Sequence, residues 1–282
     1  MDNFYIIANS QKDIDFAKTD EICRYIESKG KVCKSQKIPF ASDMPFNFAD
    51  TKLVPADTEC VIVLGGDGTL IQAARDLSSL PVIVMGINIG NLGYLMEVGM
   101  EEAKDAIDRI IAGDYYVEKR MLLHGTVIRD DKELCSKVAL NDIVLSRFGA
   151  LNIIDFEVYV NGEYLINYRA DGLILSTPTG STAYNLSAGG PIVRPVTNCI
   201  LMTPVCPHTL SKGSVVFGGE DVLEIRMCKS YTGAEERVVS FDGSGCIQLK
   251  TGDRIVVEKS TTYARFVRLK RHNFLQILRN KL

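Results

Sequence analysis

Histidine is scarce in this chain, three residues in 282, which argues against a metal centre built on imidazole. The eight cysteines, at 23, 33, 60, 135, 199, 206, 228 and 246, stand singly, and no Cys-x-x-Cys pair offers zinc ligation. They read as buried or idle thiols of a reducing compartment. No apolar run approaches the ~20 residues that span a bilayer. The segment Met1 to Ala8 has neither a basic leader nor a signal-peptide core, so a cytoplasmic protein without a membrane partner is expected. A basic surplus is also missing. The 32 Lys and Arg against 35 Asp and Glu leave a net charge of −3, which recommends no nucleic acid or anionic surface as partner. Internal repeats and low-complexity stretches are absent as well.

What is present begins at Val61-Ile-Val-Leu64, a short buried-strand pattern that runs into Gly65-Gly-Asp-Gly-Thr69 and an apolar-periodic stretch predicted helical to Leu80. A glycine-rich turn between strand and helix leaves backbone N–H groups free to bind anions. Asp67 is the unexpected member, because a carboxylate repels a phosphate. It fits if it binds Mg²⁺ or takes a proton from a hydroxyl that attacks a phosphoryl group. The alternative is a tight turn in which Asp67 caps the helix.

Around this motif the first part of the chain alternates strand and helix. Strands are expected at Phe4–Ala8, Lys31–Cys33, Cys60–Leu64 and Val82–Gly86, and helices at Asp13–Lys29, stopped by Gly30, and Glu101–Ala112. The proline-bearing stretch 38–57 reads as a surface loop able to cover a site. From Tyr115 onward short strands alternate with turn signals, and Asn161-Gly162 between two such runs predicts a hairpin. The expected fold is therefore an α/β N-terminal domain with a Rossmann-like open sheet, followed by an all-β C-terminal domain of β-sandwich type. The basic tail is predicted helical over Asn273–Asn280.

Three further stretches carry chemistry. Gly86 to Tyr94 follows a strand, where Asn88 could bond a base or ribose and Tyr94 cover a ring; a plain glycine-rich connector is the alternative. Asn141-Asp142 pairs donor and acceptor groups suited to a ribose diol, or serves as turn chemistry at a strand start. Asp171 to Gly190 crowds the hydroxyls of Thr177, Thr179, Ser181 and Thr182 around Gly180, with Tyr184 available for stacking.

Together these stretches resemble the NAD kinase family over most of the chain. Gly65–Thr69 alone is shared with diacylglycerol-type lipid kinases and phosphofructokinases, whereas Asp171–Gly190 is specific to NAD kinases, and Thr203-Pro-Val-Cys-Pro-His208 resembles a later family stretch. The resemblance implies a nucleotide-binding domain over 1–115, completed by the tail 266–282, and an NAD-binding domain over 116–265. It implies transfer of the γ-phosphoryl group of ATP, or of another donor such as polyphosphate, to the 2′-hydroxyl of NAD's adenosine ribose. A divalent cation such as Mg²⁺ would accompany the ATP. By the same resemblance Asp67 is the general base, and Gly66 and Gly68 cradle phosphates. Asn141 and Asp142 bind ribose hydroxyls, and Asp171, with Arg169 before it, faces the nicotinamide-ribose half or a neighbouring subunit's ligand. Thr182, Ala183, Tyr184 and Ser187 line the adenine pocket, Thr179 and Asn185 join them as cofactor-binding residues, and Cys206 lines the pocket as a small residue. A homodimer or homotetramer is implied too. Two details depart from the family pattern: Asp142 stands where Glu is common, and Ser244 where Gln is frequent. A lipid or sugar kinase and a non-catalytic dinucleotide-binding regulator are the rival readings. Neither net −3 nor the sequence offers a membrane anchor for the former, and the intact Asp67 opposes the latter.

Overall fold

The computed structural model describes residues 1–37, 49–90, 93, 95–149, 153–208, 213–229, 237–269, 274, 278 and 279. Residues 38–48 of the expected loop, Tyr94 and most of the expected 273–280 helix lie outside them. The chain divides into two compact units, Met1–Lys119 with Tyr263–Leu282, and Arg120–Thr262.

The first unit follows β1 (Asn3–Ala8), α1 (Ala17–Ser28), β2 (Val32–Gln36), β3 (Cys60–Gly65), α2 (Asp67–Asp76), β4 (Ile83–Asn88), β5 (Val98–Gly99) and α3 (Ala103–Ile111). The second contains β6 (Tyr116–Arg129), β7 (Lys132–Ala139), β8 (Asp142–Arg147), β9 (Ile154–Val160), β10 (Glu163–Ala170), β11 (Gly172–Ser176), the short helix α4 (Tyr184–Ser187) and β12 (Cys199–Val205). It continues through β13 (Val215–Gly218), β14 (Leu223–Met227), β15 (Arg237–Phe241), β16 (Ser244–Gln248) and β17 (Arg254–Arg268). Strand β6 starts in the first unit, and β17 ends there.

In the first unit β2, β1, β3 and β4 pair in that order, all parallel, and Phe266 of β17 pairs parallel with Val84. Every residue of β3 is buried, as its unbroken apolar run requires of a strand covered on both faces. On one face Ile62, Leu64, Met85 and Ile87 pack with Ile22 and Ile26 of α1 and with Ala106, Ile107 and Ile110 of α3. Gly86 points the other way, where a Cβ would stand 2.8 Å from Leu70 of α2. So α2 covers the opposite face, and the expected open α/β sheet is present.

Helix α1 begins at Ala17, four residues later than its periodicity predicts, because Asp13 acts as a cap. Its carboxylate accepts from the Lys18 N–H (3.1 Å), the Thr19 N–H (2.9 Å) and the Thr19 hydroxyl (2.7 Å). Gly30, at φ 73°, then turns the chain directly into β2, which runs to Gln36 rather than stopping at Cys33.

The second unit is the expected all-β sandwich. One sheet has the order β10-β9-β14-β17-β6-β7, the other β13-β12-β11-β8-β15-β16. Ile225 and Ile255 of the first sheet meet Ile143, Leu145, Leu173, Leu175 and Val239 of the second around a void of only about 10 Å³. Tight turns set the registers. Asn161 and Gly162 at φ 51° and 84° join β9 to β10, and Asp130 and Asp131 at φ 48° and 55° join β6 to β7. Among the described residues no helix is long and apolar enough to cross a membrane.

Candidate active site

The glycine turn is shorter than its sequence suggests. Helix α2 starts at Asp67, two residues before the expected Thr69, with Gly66 extended as its N-cap. Asp67 therefore stands in the first helical turn, where the helix dipole stabilises its charge. Its Oδ1 accepts from the Leu95 N–H at 3.1 Å and the Met96 N–H at 3.4 Å. Leu95 is fixed in turn by buried Arg268, whose guanidinium donates to the Leu95 carbonyl (3.0 Å), Glu97 (2.9 Å) and Glu118 (2.7 Å). Gly93 closes in so far that a Cβ there would lie 2.2 Å from the Asp67 carboxylate. The Asp67 carboxylate is thus held from two directions, and two residues on Thr69 accepts from the Asn9 amide (3.1 Å).

Lys12 overhangs this turn. Its ammonium nitrogen is 3.1 Å from where a Cβ on Gly66 would stand, and 3.3 Å from the same point on Gly90. Asn88 does not reach outward as expected. It is buried, and its amide closes the following turn by donating to the Gly90 carbonyl (2.7 Å) and accepting the Gly90 N–H (3.1 Å). Asn88 shapes the glycine loop next to β3 rather than presenting its amide to a base.

In the second unit the Asn141-Asp142 pair and the hydroxyl-rich turn form one structure. Asp142 pairs in register with Ser176, and the Asn141 carbonyl accepts from the Thr177 N–H at 2.9 Å. The Asp242 carboxylate, in the turn after β15, accepts from the N–H groups of Leu140 (2.9 Å), Asn141 (2.7 Å) and Asp142 (3.2 Å). Burial, and then the Asp242 charge, push the Asp142 carboxyl up to about 7. The Asn141 Oδ1 is buried with no hydrogen-bond partner among the described residues, an acceptor left over for a ligand. A cavity of about 220 Å³ lies on the same sheet, lined by Ser146, Arg147, Asp171, Tyr184 and Val205 among others. Asp171 is ion-paired there with Arg147 at 3.0 Å. Arg169, expected beside Asp171, is instead exposed and paired with Asp155 at 3.2 Å, because Asp171 lies past the end of β10, where the chain crosses to β11 in the other sheet.

Residues 5–115 match the ATP-NAD kinase N-terminal domain, and residues 140–269 match the ATP-NAD kinase C-terminal domain. The NAD kinase of Lachnospira eligens is 45% identical over 296 residues, covering 100% of both chains. That of Agathobacter rectalis is 45% identical over 285 residues, covering 100% of this chain and 99% of its own. The chain belongs to the NAD kinase family. Membership makes it a phosphotransferase, an NAD kinase. Among solved structures, yeast NADH kinase complexed with NADH superposes with a TM-score of 0.82 at 26% identity, covering 99% of this chain and 86% of its own. An Archaeoglobus fulgidus NAD kinase in complex with ATP shares the fold, with a TM-score of 0.73 at 24% identity, covering 99% of this chain and 98% of its own.

Not every hydroxyl of the kinase's Thr177–Thr182 turn faces outward. Thr177 donates to the Leu140 carbonyl (2.6 Å), and Ser181 donates to the Pro178 carbonyl (2.7 Å). Thr179 is buried and accepts from Arg120 at 3.3 Å. Asn185, expected among the cofactor-binding residues, has its side chain turned inward. It is fully buried, donating to the carbonyls of Ser181 and Pro191 (3.1 Å each) and accepting from Thr203 (2.7 Å), so it builds the turn from inside. Tyr184, Ser187 and Cys206 are exposed, and Thr182 and Ala183 half-buried.

Gly180 explains why this turn tolerates no side chain: a Cβ would lie 2.2 Å from the Asn141 carbonyl oxygen. Gly180→Ala must push the Asn141 turn aside. We expect a loss of about 1–3 kcal/mol and a raised KM for NAD, read by thermal melting and steady-state kinetics. Sequence reading missed Lys12, Arg147 and Asp242. Only Asp242-Gly243 carried a signal, and that signal was for a turn.

Proposed function

We propose that the kinase transfers the γ-phosphoryl group of ATP to the 2′-hydroxyl of the adenosine ribose of NAD, giving NADP, with Asp67 as general base. The observation that carries this is the fixed Asp67 carboxylate at the N-terminus of α2, in a turn of glycine backbone. The base accepts the hydroxyl proton, the ribose oxygen bonds to the γ-phosphorus, and the bridge to the β-phosphate breaks to release ADP. A loose transition state asks little base strength of a carboxylate and much positioning.

Gly66, Gly68 and the Lys12 ammonium supply the phosphate cradle. Mg²⁺ enters as part of the nucleotide substrate. Among the described residues no three His, Cys, Asp or Glu side chains gather to hold a metal. A lone carboxylate beside a phosphate cradle suits an ion that keeps its waters and binds mainly through phosphates. Asn141 and Asp142 take ribose hydroxyls; Thr182, Ala183, Tyr184, Ser187 and Cys206 line the adenine side; Asp171 with Arg147, and Arg169 beyond them, serve the nicotinamide half. The domain names in the match support ATP as donor. A cytoplasmic homodimer or homotetramer remains part of this reading.

The test is direct. Purified protein is incubated with NAD or NADH, with ATP or polyphosphate, and with Mg²⁺ or EDTA. NADP is detected with an NADP-specific dehydrogenase, and NADPH by its own absorbance after separation. We expect NADP from NAD, ATP and Mg²⁺, and none with EDTA. No phosphorylated product from a folded protein that binds NAD would replace this reading with a dinucleotide-binding regulator.

A further inference from the structure

Two of the cysteines that stand singly in the sequence come together in the fold. Cys23 on α1 and Cys33 on β2 are brought face to face by the turn at Gly30, with their sulfurs 2.9 Å apart. A disulfide needs about 2.05 Å, so closure asks for an approach of about 1 Å. Both thiols are half-buried and so reachable from solvent, and among the described residues β2 is the outer strand of its sheet, paired with β1. The Cys33 hydrogen bond holds the Cys23 thiol below the usual thiol range, while that bond and burial push Cys33 up. Cys60, in the same core cluster, differs: it is fully buried, and burial pushes its thiol up to about 12.

We propose that Cys23 and Cys33 form a reversible dithiol–disulfide couple that clasps α1 to the edge strand β2. The Cys23 thiolate attacks one sulfur of a low-molecular-weight disulfide such as oxidised glutathione, expelling one thiolate and leaving a mixed disulfide on Cys23. Cys33 loses its proton to solvent and attacks the Cys23 sulfur, expelling the second thiolate. The protein gives up two electrons and two protons, and the small disulfide becomes two thiols. In a reducing compartment such a bond is transient, formed when the thiol pool is oxidised. Neither sulfur touches the glycine turn, so the clasp acts on the stability of the α1–β2 pair rather than on chemistry at Asp67.

The full-length protein is treated with oxidised glutathione, quenched with acid, and mapped by mass spectrometry. Whatever adducts the exposed Cys206 and Cys246 take up, we expect the wild-type peptides of Cys23 and Cys33 to be crosslinked with the loss of two hydrogens, and to regain them with dithiothreitol. Cys33→Ser should stop at a glutathione adduct on Cys23. The crosslinked wild type should melt several degrees higher than the reduced protein. If Cys33→Ser does not fold, the wild-type map decides alone. Two thiols that both alkylate after oxidation, a lasting glutathione adduct on wild-type Cys23, or a crosslink to another cysteine would each overturn the proposal.

Discussion

Asp67→Asn is expected to lower NADP formation by more than ~100-fold, the scale of general acid–base catalysis, while leaving the fold intact. The amide keeps an oxygen where Oδ1 accepts the Leu95 and Met96 N–H groups, so the side chain has reason to stay in place. What disappears is the capacity to accept a proton and the negative charge in the first turn of α2. Loss of that charge at a helix N-terminus costs only about 0.3–1 kcal/mol, small beside the 5–15 kcal/mol that typically holds a domain. A hundredfold rate loss corresponds to about 2.7 kcal/mol of transition-state stabilisation. Thermal melting and kinetics therefore separate the two effects: the midpoint should move by a few degrees at most, while kcat collapses and KM for NAD stays near the wild-type value. A variant that retains more than about a tenth of wild-type kcat would show that Asp67 orients the turn and that the proton leaves by another route.

The features legible in the sequence were those decided within a few residues. The Asn161-Gly162 hairpin, the strand-turn-helix around Gly65–Thr69 and the density of hydroxyls near Gly180 are written in local composition, because φ > 0 turns and glycine-backed loops restrict which residues can stand there. What could not be read was made by partners far along the chain. Asp242 reaches back about a hundred residues to hold the Asn141 turn, and Arg268 reaches back over 170 to hold Leu95 behind Asp67. Asn88 and Asn185 show a nearer version of the same limit: Asn88 bonds Gly90, two residues on, and Asn185 bonds Ser181, Pro191 and Thr203, so both amides build their own loops. Local polarity picks out the polar turns, and only packing separates the side chains that build them from those that face out.

Asp142→Asn should uncouple stability from pH and weaken NAD binding at once. In the fold the Asp142 carboxyl is buried beside Asp242 and titrates near 7, against an ordinary value of 3.8. A raised folded value means that the native state holds this proton more tightly than the unfolded chain does. The resulting stabilisation is complete below pH ~4 and fades as pH rises towards ~7, above which the ionised group is a burden on the fold. At about 1.4 kcal/mol per unit, the difference across that window is at most about 4 kcal/mol. Asparagine cannot ionise, and Asp242 keeps its three backbone donors, so the turn geometry should survive. Melting curves of wild type and variant should therefore coincide near pH 4, draw apart as pH rises and be fully separated by pH 8, with the variant the more stable. On the proposed role of Asp142 as acceptor of a ribose hydroxyl, its loss should raise KM for NAD tenfold or more, since a hydrogen bond to a charged group is worth roughly 1.5–3 kcal/mol. Parallel melting curves across pH 5–8 would mean that Asp142 is ionised in the native protein, paired with a group that neutralises it. Divergent curves with an unchanged KM would leave Asp142 a structural acid and move ribose recognition onto Asn141, whose buried carbonyl oxygen stands ready for it.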